Sequence, residues 1–388
     1  MATNQRENAR KEKKQKKDRK IKAIIWSILI IVMIAMLGMK LAEVDYSGLG
    51  NKIFGNITSQ ATGQSSTIML DSSRNVKIAQ VNGKLNALTD TSYTVYNPGD
   101  SSIQYSYIHG YANPCMAYAG NYTCLYDQGG ARIRLDSNSG AVYESRLDNS
   151  ILCADVANNG NIIYATNGEK SKSTIVLVNK SLKKLLQLDV SEGFVTSVAV
   201  DSSGKKCAYA VVNSKNADLV TTVYTINAGD EEPVASFEFV SSPVVDLSYS
   251  SSSLFVVCQN NVTVVKNQKK AQTVFENNNI VAVNYTYTDK NQLVFVYADY
   301  AQATENKVAY ITSNGKIKNT FNLDQRVKYI HSSSNEFTVL FDDKISVYSL
   351  SKGDEKTSVN CDDSVNSVIK MSSTIYVQHQ QIIDALNA

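Results

Sequence analysis

The chain has 388 residues, 39 of them Lys or Arg and 36 Asp or Glu, and is 43% hydrophobic, enough to bury a core and too apolar for wholesale disorder. The net charge of +3 hides an asymmetry: residues 1–22 carry ten basic and three acidic side chains, and the remainder carries 29 basic and 33 acidic. That remainder has no basic excess, which removes the electrostatic case for nucleic acid.

Residues 1–22 read as a basic tail. Residues 23–39, AIIWSILIIVMIAMLGM, then run without a charge between Lys22 and Lys40. As a helix they rise about 25 Å, and Ile21, Leu41 and Ala42 extend the apolar stretch while the two lysines snorkel. Trp26 lies toward the basic end, where an indole favours the membrane interface. The expectation is a single membrane-spanning helix over 23–42, contacting the lipid bilayer. The basic tail then lies in the cytoplasm and everything after Lys40 lies outside. A cleaved signal peptide is the rival, but its apolar region is shorter and it needs a small-x-small site that Met36-Leu37-Gly38 does not offer. Residues 43–66, rich in Gly, Ser, Thr, Asn and Gln, read as a flexible stalk. A coil of that length spans about 27 Å on average.

From residue 67 to 388 one theme repeats. Alternating apolar runs of strand length are separated by Ser, Asn, Gly or Asp turns, and the runs group in fours. FVTSVAVDSSG, KKCAYAVVNSKNAD, LVTTVYTINAGDE and EPVASFEFVSS make one such unit, with NSKNAD read as turn. Units begin near residues 75, 114, 151, 194, 243, 280, 326 and 365. Four-stranded units at this period predict an all-β fold, a β-propeller of eight blades. Seven is the count if one irregular stretch is split wrongly, and a pair of β-sandwiches is the rival architecture. The last unit, VNSVIKMSS, TIYVQHQ and QIIDALNA, supplies only three strands. STIMLDSS at 66–73 is one spare strand ahead of the first unit. Pairing the two would close the ring and leave no open edge between the first and last blades.

The hairpins LDSNSGAVYESRL, ITSNGKIKNTF and YSLSKGDEKTSV resemble the turns between the third and fourth strands of quinoprotein-type propellers. The blade-docking Trp of that family is missing, because the only Trp is Trp26, and no Trp-Asp dipeptide occurs, so the resemblance does not extend to a quinone cofactor. The whole layout, a basic tail, one span, a Ser/Gly/Thr stalk and a Tyr/Ser/Asn-rich propeller, resembles an uncharacterised Clostridia-type family of Gram-positive bacteria, a domain of unknown function. That resemblance implies a place at the cell envelope and no activity.

No motif asks for a metal, a cofactor or a nucleophile. The three histidines, His109, His331 and His379, fall in different units without a partner at metal-ligand spacing. Asp155, Asp246 and Asn284 are polar positions on predicted first strands, which line the centre of a propeller. They either contact a ligand there or simply stay solvated. Cys115 and Cys124 fall on the first two strands of one unit and are the pair to test for a disulfide, although a buried Cys is also an ordinary strand residue. The leading functional expectation is a non-catalytic binding or scaffolding module that engages an envelope protein or polymer. The alternatives are an envelope enzyme, quinoprotein-like or glycan-active, and a ligand sensor.

Overall fold

The Val-, Ile-, Tyr- and Thr-rich runs form strands wherever an Asn, Ser or Gly turn lets the chain reverse. A computed structural model describes residues 67–275, 280–333 and 335–387. The predicted tail, membrane span and stalk all lie outside the described residues. Among the described residues no helix is long and apolar enough to cross a membrane.

The described residues form eight four-stranded antiparallel sheets. Seven are meanders in chain order, covering residues 77–108, 114–146, 151–190, 194–240, 244–273, 281–323 and 329–360. The eighth combines β30 (Val365–Met371), β31 (Thr374–His379) and β32 (Ile382–Asn387) with β1 (Thr67–Met69) from the far end of the chain. Thr67 pairs with Asp384 and Met69 with Ile382, so the spare strand closes the ring as expected. The count is eight blades.

Among the described residues the core is divided by blade interface. Eight apolar clusters each straddle two neighbouring blades. This explains the burial of each strand. The second and third strands of a blade are sandwiched between neighbours and are apolar on both faces. β19 (Ser253–Cys258) and β23 (Leu293–Ala298) are buried throughout. The fourth strands form the outer edge and alternate, as β17 (Ala235–Val240) and β29 (Glu355–Asn360) do.

Two local features depart from simple alternation. Five of the eight inner strands carry a register shift near their start, between Ile151/Cys153, Val195/Ser197, Val244/Asp246, Ala282/Asn284 and Val365/Ser367. A bulge twists the strand and changes which later side chains face the centre. The fourth blade also has a longer hairpin than expected. β15 (Lys206–Lys215) and β16 (Asp218–Asn227) pair as far as Lys215 and Asp218. NSKNAD, read as turn, is therefore mostly ladder. The reversal is made by Asn216 and Ala217 alone, both at positive φ (53° and 70°), as a tight two-residue hairpin turn requires.

Candidate functional site

The inner strands end in short turns, and these surround a central cavity of about 650 Å³. Seven of the eight blades contribute to its wall. At the first blade the wall is the Asn82-Gly83 turn, whose positive φ angles (47° and 71°) let Val81 and Lys84 pair directly. Elsewhere it includes Tyr118, Asp155, Asn284, Tyr285, Tyr287, Tyr329 and His331.

Two of the three polar positions singled out in the sequence, Asp155 and Asn284, line this cavity. Asp246 stands just behind the wall, where its Oδ2 accepts the hydroxyl hydrogen of the lining residue Tyr287 at 2.8 Å. All three also reach the next blade in chain order. Asp155 Oδ2 accepts the Val200 N–H at 2.9 Å, and Asn284 Nδ2 donates to the Lys328 carbonyl at 3.3 Å. His331 Nδ1 continues the pattern, accepting the Lys370 N–H at 3.4 Å. These side chains hold neighbouring inner strands in register, and Asp155, Asn284 and His331 also line the cavity.

The electrostatics follow from enclosure. Carboxylates in the wall of a narrow cavity lose most of their hydration. Burial pushes Asp155 up to about 7, against the N–H groups of Val200 and Val156, with a further rise from the nearby charge of Asp246. Burial likewise pushes Asp246 up to about 6, opposed by the hydroxyl of Tyr287. It pulls His331 down to about 4, so that imidazole is neutral. Tyr118 leaves half of its surface accessible, yet it lines the cavity and burial raises its phenol.

The other sequence candidates lie elsewhere. His109 is buried near the interface of the first two blades, Nε2 on the Thr89 carbonyl (3.1 Å) and Nδ1 accepting the Tyr111 N–H (2.9 Å). His379 pairs with Asp384 at 2.8 Å in the closing blade. No group of three or more His, Cys, Asp or Glu suited to a metal occurs among the described residues. The disulfide considered between Cys115 and Cys124 is not formed. Cys115 stands opposite Tyr126 and Cys124 opposite Ala117, a diagonal placement that leaves both as thiols, like the other four cysteines. The aromatic wall, Tyr118, Tyr285, Tyr287 and Tyr329, was missed. Its signal was present: all four lie in the same first-strand runs as the polar candidates or their equivalents.

Residues 56–386 match the family model DUF5711, described as a family of unknown function. The chain belongs to that family. No curated protein matches the sequence. Solved structures similar to it include the computationally designed Ika8 protein, at 13% identity and a TM-score of 0.59, covering 82% of this chain and 98% of that one. BamB from Moraxella catarrhalis is similar at 13% identity and a TM-score of 0.53, covering 83% and 98%. The C-terminal WD40 domain of Sif2 is similar at 13% identity and a TM-score of 0.58, covering 82% and 99%. At such identities these likenesses establish the propeller fold of this DUF5711 member and nothing about what it binds.

Proposed function

We propose that this DUF5711 protein is a membrane-tethered binding module of the cell envelope, with its tail in the cytoplasm and its propeller outside. The tether rests on the uncharged segment 23–39 between Lys22 and Lys40 and on the basic tail before it. The observation that carries the binding reading is the cavity. Hydroxyl, amide and aromatic side chains from seven blades converge on one space of about 650 Å³, within the range that small-molecule and side-chain sites occupy. The partner is an envelope protein or polymer that presents a group to this mouth.

An envelope enzyme is the second reading, and one observation favours it. Asp155, pushed up to about 7, has the proton affinity of a general acid or base working near neutral pH. Its Oδ2, however, is held by the Val200 N–H, and the nearby Asp246 is held by Tyr287.

Crosslinking in intact cells tests the binding reading. A specific partner should be recovered with the wild-type chain and lost with the double variant Tyr118→Ala/Tyr329→Ala. Recovery of nothing above background would sink it. Protease added outside should remove the propeller and spare a tag fused before residue 1; the reverse pattern rules out the topology.

A further inference from the structure

The charged groups of the cavity wall are of one sign. Its lining residues include Asp155 and Asp289 and no lysine or arginine, and burial keeps His331 neutral. Lys328, just before the inner strand of the seventh blade, and Lys370, within that of the eighth, have their ammonium groups engaged elsewhere. Lys328 Nζ donates to the Asp363 carbonyl at 3.1 Å, and Lys370 Nζ pairs with Glu336 at 2.8 Å. The lining itself therefore offers an anion no cation.

The rest of the wall is aromatic. Tyr118, on the second blade, and Tyr329, on the seventh, both line it and lie within electrostatic reach of one another. Tyr285 and Tyr287 add an edge-to-face pair, 6.0 Å between centroids. Tyr287 donates its hydroxyl hydrogen to Asp246, which enriches the electron density of its ring. Aromatic side chains and a partly desolvated carboxylate in the wall of one cavity attract a cation that is itself weakly hydrated. A metal ion suits the site poorly, because no cluster of three ligating side chains is present among the described residues. A neutral glycan would satisfy the hydroxyls and amides but leave the charge of the half-buried Asp155 uncompensated.

We propose that the central cavity binds an organic ammonium group, seated among Tyr118, Tyr285, Tyr287 and Tyr329 with Asp155 as its counter-charge. The proposal rests on the binding-module reading and specifies its ligand. The shared chemistry has two sources, a free quaternary amine or a lysine side chain carried by a peptide.

Calorimetric titration of the full-length chain tests it with three probes: choline, its uncharged isostere 3,3-dimethylbutan-1-ol, and Nα-acetyl-lysine methylamide. At least one of the two cations should bind at least tenfold more tightly than the isostere, and the tighter of them identifies the source. Asp155→Asn, which keeps an oxygen for the Val200 N–H, should weaken the cation at least tenfold and leave the isostere unchanged. Tyr118→Leu/Tyr329→Leu, which keeps apolar bulk without hydroxyls or tyrosine faces, should also weaken the cation. Binding near pH 6.5 should release a proton, seen as a heat that varies with the buffer. The titratable groups facing Asp155 are Asp246 on the fifth blade, Cys124 on the second, Cys207 on the fourth and Cys153 on its own strand. The three thiols stay protonated near pH 6.5, since burial raises them all. Asp246→Asn should therefore leave most of the released proton in place. Equal affinity for cation and isostere, no saturable cation binding, or insensitivity to Asp155→Asn overturns the proposal. If the cations fail while crosslinking still captures a partner that Tyr118→Ala/Tyr329→Ala loses, the ligand class is wrong and the binding module stands. If both fail, both readings fall.

Discussion

Asp155 sits where an asparagine would be more comfortable. Its carboxylate loses hydration in the cavity wall and recovers only part of it from backbone N–H groups. The sign of the resulting linkage is definite. A carboxyl whose folded value is raised from 3.8 to about 7 binds more protons in the folded state, so stability falls as pH rises through that interval. Asp155→Asn removes this dependence. It should raise the melting temperature at pH 8 and change it far less at pH 4, the difference amounting to at least ~1 kcal/mol. Thermal melts of both proteins at the two pH values check this; a parallel shift at both would mean that Asp155 is not desolvated. A residue that costs stability in the unliganded ring and faces its cavity fits a group kept for binding. Sequence pattern reached Asp155 because an acid inside a predicted inner strand is conspicuous. It did not reach Tyr118 or Tyr329, because tyrosine is abundant here, 22 in the chain, and which of them face the centre depends on three-dimensional register.

At the scale of single strands, most of the architecture was legible. The second and third strands of each blade are buried on both faces, so they appear as continuous apolar runs, and the turns between them are marked by Asn, Gly and Ser. The bulges were not legible, since an extra residue in one strand shows only against its partner. Nor was the long hairpin of the fourth blade, whose outermost rungs hold Asn213, Ser214, Lys215 and Asp218, residues common in turns. The closing blade holds a third case. His379 ends β31, and its Nε2 lies 2.8 Å from Asp384 Oδ2 on β32, while Thr67 on β1 donates to Asp384 Oδ1 at 2.7 Å. In sequence His379 is a lone histidine; the hairpin makes it part of the clasp. The hydrogen bond that His379 donates to Asp384 raises His379 above its usual 6.5 and lowers Asp384 below its usual 3.8. The histidine contribution is fully present below pH 6.5 and is lost as pH rises through its folded value. The aspartate contribution is present above pH 3.8 and is lost as pH falls through its own. Both operate together between about pH 4 and 6.5. His379→Gln should therefore destabilise the ring by roughly 0.5–1 kcal/mol at pH 5.5 and by less at pH 8.5, since the pair is partly exposed. Urea unfolding at the two pH values measures it; an equal loss at both would assign His379 a packing role alone.

Among the described residues the propeller has eight blade interfaces, and one of them depends on segments far apart in sequence. Seven interfaces join blades that follow one another in sequence. The eighth, between the last blade and the first, gathers Ile68 and Leu70 with Ile78, Leu85, Tyr96, Ile369, Met371 and Tyr376. Two of these belong to the short closing segment, where Ile68 is 4% exposed while its neighbour Met69 is 65% exposed. Burying one such aliphatic side chain contributes ~1.5–3 kcal/mol. A charge placed there adds a desolvation cost that nothing in the cluster offsets. Ile68→Asp should therefore detach β1, expose the edge of β32 and lower the melting temperature by roughly ten degrees, with a new tendency to associate through the freed edge. Met69→Asp, one residue away on the outer face, should leave the melt within about two degrees of wild type. Melting followed by circular dichroism, together with light scattering, separates the two. If both variants behave alike, β1 lies on the ring without holding it shut. If only Ile68→Asp fails, closure of the eight blades depends on a three-residue strand, and the width of the central cavity depends on it too.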